Sequence, residues 1–455
     1  MSAWWVVALA AAAVAAWTLP RWLPPVVIRL REWVFRRVNG TEGIPVPGPL
    51  VDAEHFERVY ADPAARGRSR GAGLSDLFWY WLAPGAHLHQ EHLEPGERYE
   101  TVARVTRSVL AVPQARSAEL ATTAVRRHLA DLPRDRLSAV RLRDLMMPVW
   151  ADVYHELVFG EPCPAPARAL IVGNADDVVT ALKGCGLRHL PRRERLTRYL
   201  VDRIEAGTAP VTLPEPFTAQ ESAWYLQGAF FNTAVVQMSE GMAHLLLDVA
   251  QHPQVQARLA AVVDDHGPDA DALLDRVIDE TLRVHPLFGV AHRITTAPIE
   301  VTPEVTLPTG SVLLFNYLAY QRTGPAADPA YDPDRWLGLR RRDAHFVPFG
   351  VSANRACPAR GVAPVMMRAA LREVLRGFAL ASSVSHTRSL PGRGACYLVP
   401  AGATPPGRLR LAAMRGRDRW GDVGRSIVQL VLGTWMVLDA RRERPCTRHF
   451  AEVAR

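Results

Sequence analysis

Lysine is almost missing from this chain: Lys183 stands alone, and arginine makes up the rest of the 54 basic residues. With the heavy alanine and proline usage, this bias is what GC-rich coding produces and points to no binding function. The formal net charge of +8 is therefore a poor argument for nucleic acid. Aromatic residues do not interleave with a basic stripe, and no nucleic-acid-binding motif occurs. An acidic protein face or anionic lipid suits the charge better. Cysteine is scarce too. Cys163, Cys185, Cys357, Cys396 and Cys446 are odd in number, widely spaced and without a CxxC pair. That speaks against a disulfide framework or a zinc site and for a reducing compartment. Repeats of 20–50 residues are absent, which excludes a solenoid.

Charge is missing altogether from Ala3 to Leu19, a run of 17 residues at the short end of what spans a bilayer. Trp4, Trp5, Trp17 and Trp22 sit near its ends, as interfacial anchors do. No basic segment precedes it, which disfavours a cleaved signal peptide. Arg21, Arg29, Arg31, Arg36 and Arg37 follow it, so the expected arrangement is an outside N-terminus and a cytoplasmic body. The alternative is an apolar helix buried in the fold. The expected organisation is a transmembrane anchor over residues 1–22, then a basic interfacial segment and Pro/Gly linker over 23–50. Trp22 to Val38 can lie in the interface plane, and Gly43 to Pro49 reads as a stiff spacer. A main body covers 51–412 and an extension covers 413–455. The uncharged stretch Ile427–Leu438 in the extension is too short to span, but suited to packing on the body or resting on a membrane.

The chain has 455 residues, 48% of them hydrophobic, enough for one large core. Helical apolar periodicity runs through Arg98–Leu110, Leu137–Phe159, Ala219–Val249 and Ala270–Val284. Strand-like runs are short: Ile299–Val301, Ser311–Phe315 and Cys396–Val399. Gly207–Pro216 is a loop by its glycine and prolines. The fold class is mainly α with small β-sheets.

The decisive stretch is Phe346-Val347-Pro348-Phe349-Gly350-Val351-Ser352-Ala353-Asn354-Arg355-Ala356-Cys357-Pro358. A cysteine thiolate that ligates an iron needs a shielding turn with backbone N–H groups aimed at the sulfur. A helix, Ala363–Phe378, follows and offers its positive end. The alternative is a buried structural cysteine. Upstream, Glu280 and Arg283 lie three apart on one helical face. Then come His292-Arg293 and Asp328-Pro329-Ala330-Tyr331-Asp332-Pro333-Asp334-Arg335-Trp336. In this order the motifs resemble those of cytochromes P450: the ExxR helix, the proline–arginine meander and the cysteine loop. The resemblance covers about Ala219 to Pro400. It departs in that Phe349 stands eight residues before the cysteine rather than seven, while Ala353 and Ala359 replace two glycines.

The resemblance implies a P450-like fold and a haem b cofactor with Cys357 as the axial metal ligand. It implies that Phe349 lies by the haem, that Arg355 and Arg293 reach its propionates, and that Glu280, Arg283 and Arg335 form a structural cluster. Among the early helices, Arg98 and Arg104 are candidate haem contacts.

The distal helix departs furthest. Members of the family carry an acid followed by an alcohol there, which deliver protons during oxygen activation. Counting back from His252-Pro253 without gaps puts Val236 and Gln237 on those positions. A register shifted by four residues puts Asn232 and Thr233 there instead. Thr233 and Gln237 share a face in either case, and neither register supplies a carboxylate. Catalytic candidates are therefore Gln237, Thr233 and Asn232, with Phe230 and Phe231 as lining residues. The first functional expectation is oxidation of a small lipophilic molecule in bacterial secondary metabolism. Electrons would come from a ferredoxin or reductase, for which Arg340, Arg341 and Arg342 offer a docking charge. The second is a haem-dependent rearrangement, cyclisation or group transfer needing no reductant. A membrane-anchored haem sensor is the non-catalytic alternative.

Overall fold

The computed structural model describes residues 3–39, 43–386 and 394–453. The uncharged run and the basic stretch form one helix, α1 (Ala3–Asn39), with Pro20, Pro24 and Pro25 inside it. The boundary expected at residue 22 is thus not a break. Each proline removes one ladder hydrogen bond, and the long apolar and arginine side chains around them carry the helix onward. Residues 4–17 are all exposed, Trp4 at 82% and Trp17 at 78%, so this segment is not a core helix of the fold. Part of the supposed spacer is sheet: β1 (Ile44–Val46) pairs in parallel with a later strand. Its Pro45 is tolerated because β1 is an edge strand. Residues 40–42 of that segment lie outside the described residues.

The body continues with α2 (Gly73–Leu82), α3 (Glu97–Val109), α4 (Gln114–Ala130), α5 (Leu142–Phe159) and α6 (Ala165–Leu182). The run expected as helix from Leu137 opens as a strand, β2 (Ser138–Arg141). α7 (Ala219–Leu226) starts at a reciprocal cap, in which the Thr218 hydroxyl accepts from the Glu221 N–H and the Glu221 carboxylate accepts from the Thr218 N–H. The chain then widens into a π-helical segment, Gln227–Ala234, before α8 (Val235–Gln251). α9 (Pro268–Val284) leads into the strands β3 (Val290–Ile294), β4 (Ile299–Thr302), β5 (Val305–Leu307) and β6 (Val312–Asn316). After the cysteine loop come α10 (Ala363–Gly377), β7 (Phe378–Ala381) and β8 (Ala395–Pro400). The sheets are small, with orders β1-β6-β3, β2-β8-β7 and β4-β5.

The main core forms where α5 crosses α8 and where α4 packs on α5 and α10. Trp150, Tyr154, Phe230 and Phe231 are buried in it, each worth about 1.5–3 kcal/mol of transfer free energy.

The extension is part of the body. It starts at Arg408, five residues before the expected boundary, as α11 (Arg408–Glu443), followed by α12 (Pro445–Val453). Met436 and Ala440 are buried with Leu77, Tyr80 and Ala181. Cys446 is buried with Trp79, Leu82 and Val178. Asp76 accepts from the Thr447 backbone N–H at 2.9 Å and from its hydroxyl at 2.8 Å. α2 is therefore held between the body and the C-terminal helices.

Candidate active site

The loop carrying Cys357 is pinned before it reaches the cysteine. Asn354 Nδ2 donates to the carbonyls of Tyr60 and Ala65 at 2.7 and 2.8 Å. Gly350 takes φ 74°, and a Cβ there would stand 3.2 Å from the hydroxyls of Tyr60 and Tyr317. Arg355 is also left-handed, at φ 54°, an uncommon state for a residue with a side chain. The Cys357 N–H donates to the Phe349 carbonyl at 2.8 Å. Burial pushes the Cys357 thiol up to about 11, while the Ala359 N–H, directed at the sulfur, pulls the other way. A thiolate here needs a compensating positive charge, as a metal ion supplies.

Cys357 lines a cavity of about 180 Å³. Phe349, Arg355, Arg293 and Tyr60 share it, and from the helix above come Phe230, Thr233 and Gln237. Three guanidinium groups crowd this region. Arg68 pairs with Glu91 at 3.0 Å. Arg293 donates to the Tyr60 hydroxyl at 2.7 Å and to the His292 carbonyl at 2.8 Å. Arg355 donates to the carbonyls of Gln90 at 3.2 Å and Leu93 at 2.7 Å. Burial, aided by the charge of Arg293, lowers Arg68 to about 9. Burial likewise lowers Arg355 to about 10. Among the described residues, the buried Nε atoms of Arg293 and Arg355 have no hydrogen-bond partner. Three cations against the carboxylates of Glu91 and Glu94 leave a positive excess beside the cysteine.

Glu280 and Arg283 meet as a buried pair, with hydrogen bonds of 2.6 and 2.9 Å. Arg335 Nε stands 3.6 Å from Glu280. Trp336 Nε1 at 3.0 Å and the Asp332 N–H at 2.8 Å also donate to that carboxylate. Arg283 donates onward to the carbonyls of Ala326 and Ala330 at 2.9 and 2.8 Å. The meander is thereby tied to α9.

The distal wall holds a partner that sequence reasoning missed. His89 Nε2 is 3.0 Å from Thr233 Oγ1, and its ring lines the same cavity. Burial lowers His89 to about 4, so its imidazole is neutral at pH 7. The sequence signal was His87, His89 and His92 clustered within six residues. Of the catalytic candidates, Thr233 and Gln237 reach the Cys357 cavity, whereas Asn232 lines an adjoining cavity of about 280 Å³. Phe230 lines the cavity, but Phe231 instead stacks on Phe159 at 6.2 Å. Arg98 pairs with Glu221, Arg104 bonds to Thr101, and neither lines the cavity. Arg340 and Arg342 pair with Asp343, and Arg341 with Asp279.

A second cluster, His244, His285 and His386, brings three imidazoles within 4.8 Å. His244 Nδ1 stands 3.1 Å from His386 Nδ1, and the Asp248 carboxylate stands 3.4 Å from His285 and 3.1 Å from His386.

The sequence profile of the family described as Cytochrome P450 matches residues 220–399. A putative cytochrome P450 135B1 of Mycobacterium tuberculosis is 31% identical over 174 residues, covering 35% of this chain and 36% of that protein. A probable cytochrome P450 4d21 of Drosophila melanogaster is 29% identical over 160 residues, covering 31% of each. The matched stretch thus spans about a third of these relatives' length. In fold, the chain is similar to a six-coordinated cytochrome P450 of Thermus thermophilus. The TM-score is 0.56 at 17% identity, over 77% of this chain and 88% of the other. It is also similar to a zebrafish cytochrome P450 solved with abiraterone, with a TM-score of 0.60 at 16% identity, over 73% and 85%. The chain thus has the fold of cytochromes P450, and its residues 220–399, which carry the ExxR cluster and the cysteine loop, match that family's profile.

The family's cofactor is haem, and the residues present fit it. Cys357 offers a sulfur to the iron. The unpartnered Nε atoms of Arg293 and Arg355 and the surplus positive charge suit two propionates.

Proposed function

We propose that this chain is a haem-thiolate monooxygenase acting on a lipophilic small molecule, in bacterial secondary metabolism, with electrons from a ferredoxin or reductase. The observation that carries this reading is one cavity holding both Cys357 and a distal hydroxyl, Thr233, bonded to His89. Haem bound here would supply oxygen activation; the chain's own part is to hold substrate, exclude water and place protons. Glu91 donates its backbone N–H to His89 Nδ1 at 3.3 Å. The ring proton therefore sits on Nε2, where it faces Thr233 Oγ1 at 3.0 Å and the Gly228 backbone. The Thr233 hydroxyl hydrogen is then available to the cavity. His89 occupies the role that a helix carboxylate fills elsewhere in the family, and the relay is rerouted, not lost. The cavity walls contributed by Phe230, Leu287 and Phe288 favour an apolar substrate. α1 anchors the enzyme with its body on the cytoplasmic side.

A second reading is favoured by Gln237, a non-titrating amide on the same cavity. It is rearrangement or group transfer on an already oxidised substrate, independent of a reductase. The experiment begins with the reduced, carbon-monoxide-bound protein. Thiolate-type absorption is expected from the parent and should be lost in Cys357→Ala; its survival in that variant defeats the assignment. Turnover that persists without any reductant overturns monooxygenation in favour of the second reading.

A further inference from the structure

α11 begins after the stretch matched to the family, which ends at residue 399. It packs along α1, and both helices carry exposed apolar stripes with the same spacing. On α1 these residues are Trp22, Val26, Leu30 and Trp33; on α11 they are Ile427, Val431, Trp435 and Leu438. The stretch Ile427–Leu438 is uncharged, with Arg415, Arg417, Arg419 and Arg425 against Asp418 and Asp422 before it, and Arg441 and Arg442 against Asp439 and Glu443 after it. Apolar side chains flanked by arginines fit the hydrocarbon–headgroup boundary of a membrane. A protein partner would not account for the segment that precedes the α1 stripe in the same helix: residues 4–17, all exposed and uncharged. Ile28 stands nine residues beyond Leu19, about 14 Å along the helix, so this part of α1 lies close to any bilayer that holds the run.

Between α1, α2 and α11 lies a cleft of about 850 Å³, walled by Ile28, Phe35, Leu77, Trp81 and Val437. It is large enough for a ligand-sized molecule. Gly433 helps to form it by letting α11 settle on Gly184, whose added Cβ would stand 3.0 Å from the Gly433 Cα. Phe78, Leu182, Val290 and His292 line both this cleft and the cavity of about 280 Å³. His89, Thr233, Gln237 and Leu287 line both that cavity and the one holding Cys357. The three spaces form a series from the anchor helix to the sulfur.

We propose that α11 is a second membrane-seated helix and that the cleft between it and α1 admits a hydrocarbon chain from the bilayer toward Cys357. The substrate class is then a molecule with a long apolar portion, taken from the membrane. This rests on Cys357 being the reaction centre, which the carbon monoxide spectrum reports separately.

The test uses the full chain in vesicles of phosphatidylcholine and phosphatidylglycerol doped with a diazirine-bearing stearic acid. After illumination, labelled peptides are mapped by mass spectrometry. Label is expected on Leu74–Trp81 and on the α11 segment around Gly433, as well as on residues 4–17. Thr434→Trp, which fills the cleft, should remove the label from Leu74–Trp81 and leave that on residues 4–17. Ile427→Glu with Val431→Glu alters only exposed positions, keeps the core intact and should also remove the Leu74–Trp81 label by lifting α11 from the lipid. Label confined to residues 4–17 in the parent protein overturns the proposal. So does undiminished Leu74–Trp81 label in both variants, each checked for a parent-like carbon monoxide spectrum.

Discussion

Thr233 and His89 come from segments 144 residues apart and meet at 3.0 Å. That single contact decides how the missing carboxylate is read. If His89 supplies the distal hydroxyl with its hydrogen-bond donor, His89→Phe should lower product formation by about a hundredfold, the lower end of what one acid–base group contributes. Hydrogen peroxide release per electron donor consumed should rise. His89→Gln, which can still donate to Thr233, should recover much of the loss. The nitrogen NMR shifts of the His89 ring give an independent check: an Nε2–H tautomer is expected, unchanged between pH 6 and 8. Equal behaviour of the Phe and Gln variants would reduce His89 to a packing residue. At the opposite end of the site, Glu280 and Arg283 are nearly inaccessible, at 0% and 2%. Glu280→Ala leaves Arg283 charged and buried, which should cost about 3–5 kcal/mol in chemical denaturation. Glu280, Arg283 and Cys357 were legible in the sequence through the order and spacing of their motifs taken together, since an i,i+3 pair or a lone cysteine loop says little by itself. His89 was not, since its partner is set by tertiary folding and no local spacing encodes it.

The widened stretch Gln227–Ala234 explains why the helix register could not be read along the chain. An ungapped count back from His252 runs through regular helix only to Val235, and the π segment before it turns Asn232 and Thr233 in a way that no marker in the hydrophobic pattern signals. It falls on the residues of the shifted register, around Asn232 and Thr233, while Gln237 also reaches the cavity one turn later. Gly228 belongs to this segment, and a Cβ on it would stand 2.8 Å from His89 Cδ2. Gly228→Ala should therefore push the imidazole off Thr233 and reproduce the His89→Phe partition toward peroxide, with the carbon monoxide band intact. Wild-type partition in Gly228→Ala would mean that the ring can yield without losing the contact. β1 was hidden for a related reason: Ile-Pro-Val looks like a stiff spacer until β6 is available to pair with it. The long amphipathic helices, α9 and α10 among them, were visible because their apolar faces recur at helical intervals.

Across the whole molecule, the C-terminal helices close the surface that α2 would otherwise leave bare, so Met436 and Cys446 behave as core residues. Met436→Ala should cost about 2–5 kcal/mol, as a buried truncation, a loss read by denaturation of the full chain. Acid should act on the molecule through a different set of groups. Burial lowers His87 and His89 to about 4, and lowers His92 and His292 well below their ordinary value. The charges of Arg68 and Arg355 push the last two in the same direction. In the unfolded chain these imidazoles take up protons near pH 6.5, whereas in the fold His87 and His89 stay neutral to about pH 4 and His92 and His292 stay neutral well below their ordinary value. Between those values the unfolded state binds more protons, so stability must fall as pH falls. It should be fully present above about pH 7 and erode from 6.5 downward, before most carboxylates titrate. Thermal unfolding followed from pH 7.5 to 4.5 checks this: Tm should decline steadily below 6.5, and His89→Gln should flatten part of the slope. A Tm constant to pH 5 would mean that these rings are already solvated or paired with acid in the folded protein, and the neutral His89 on which the distal hydrogen bond depends would fail with it.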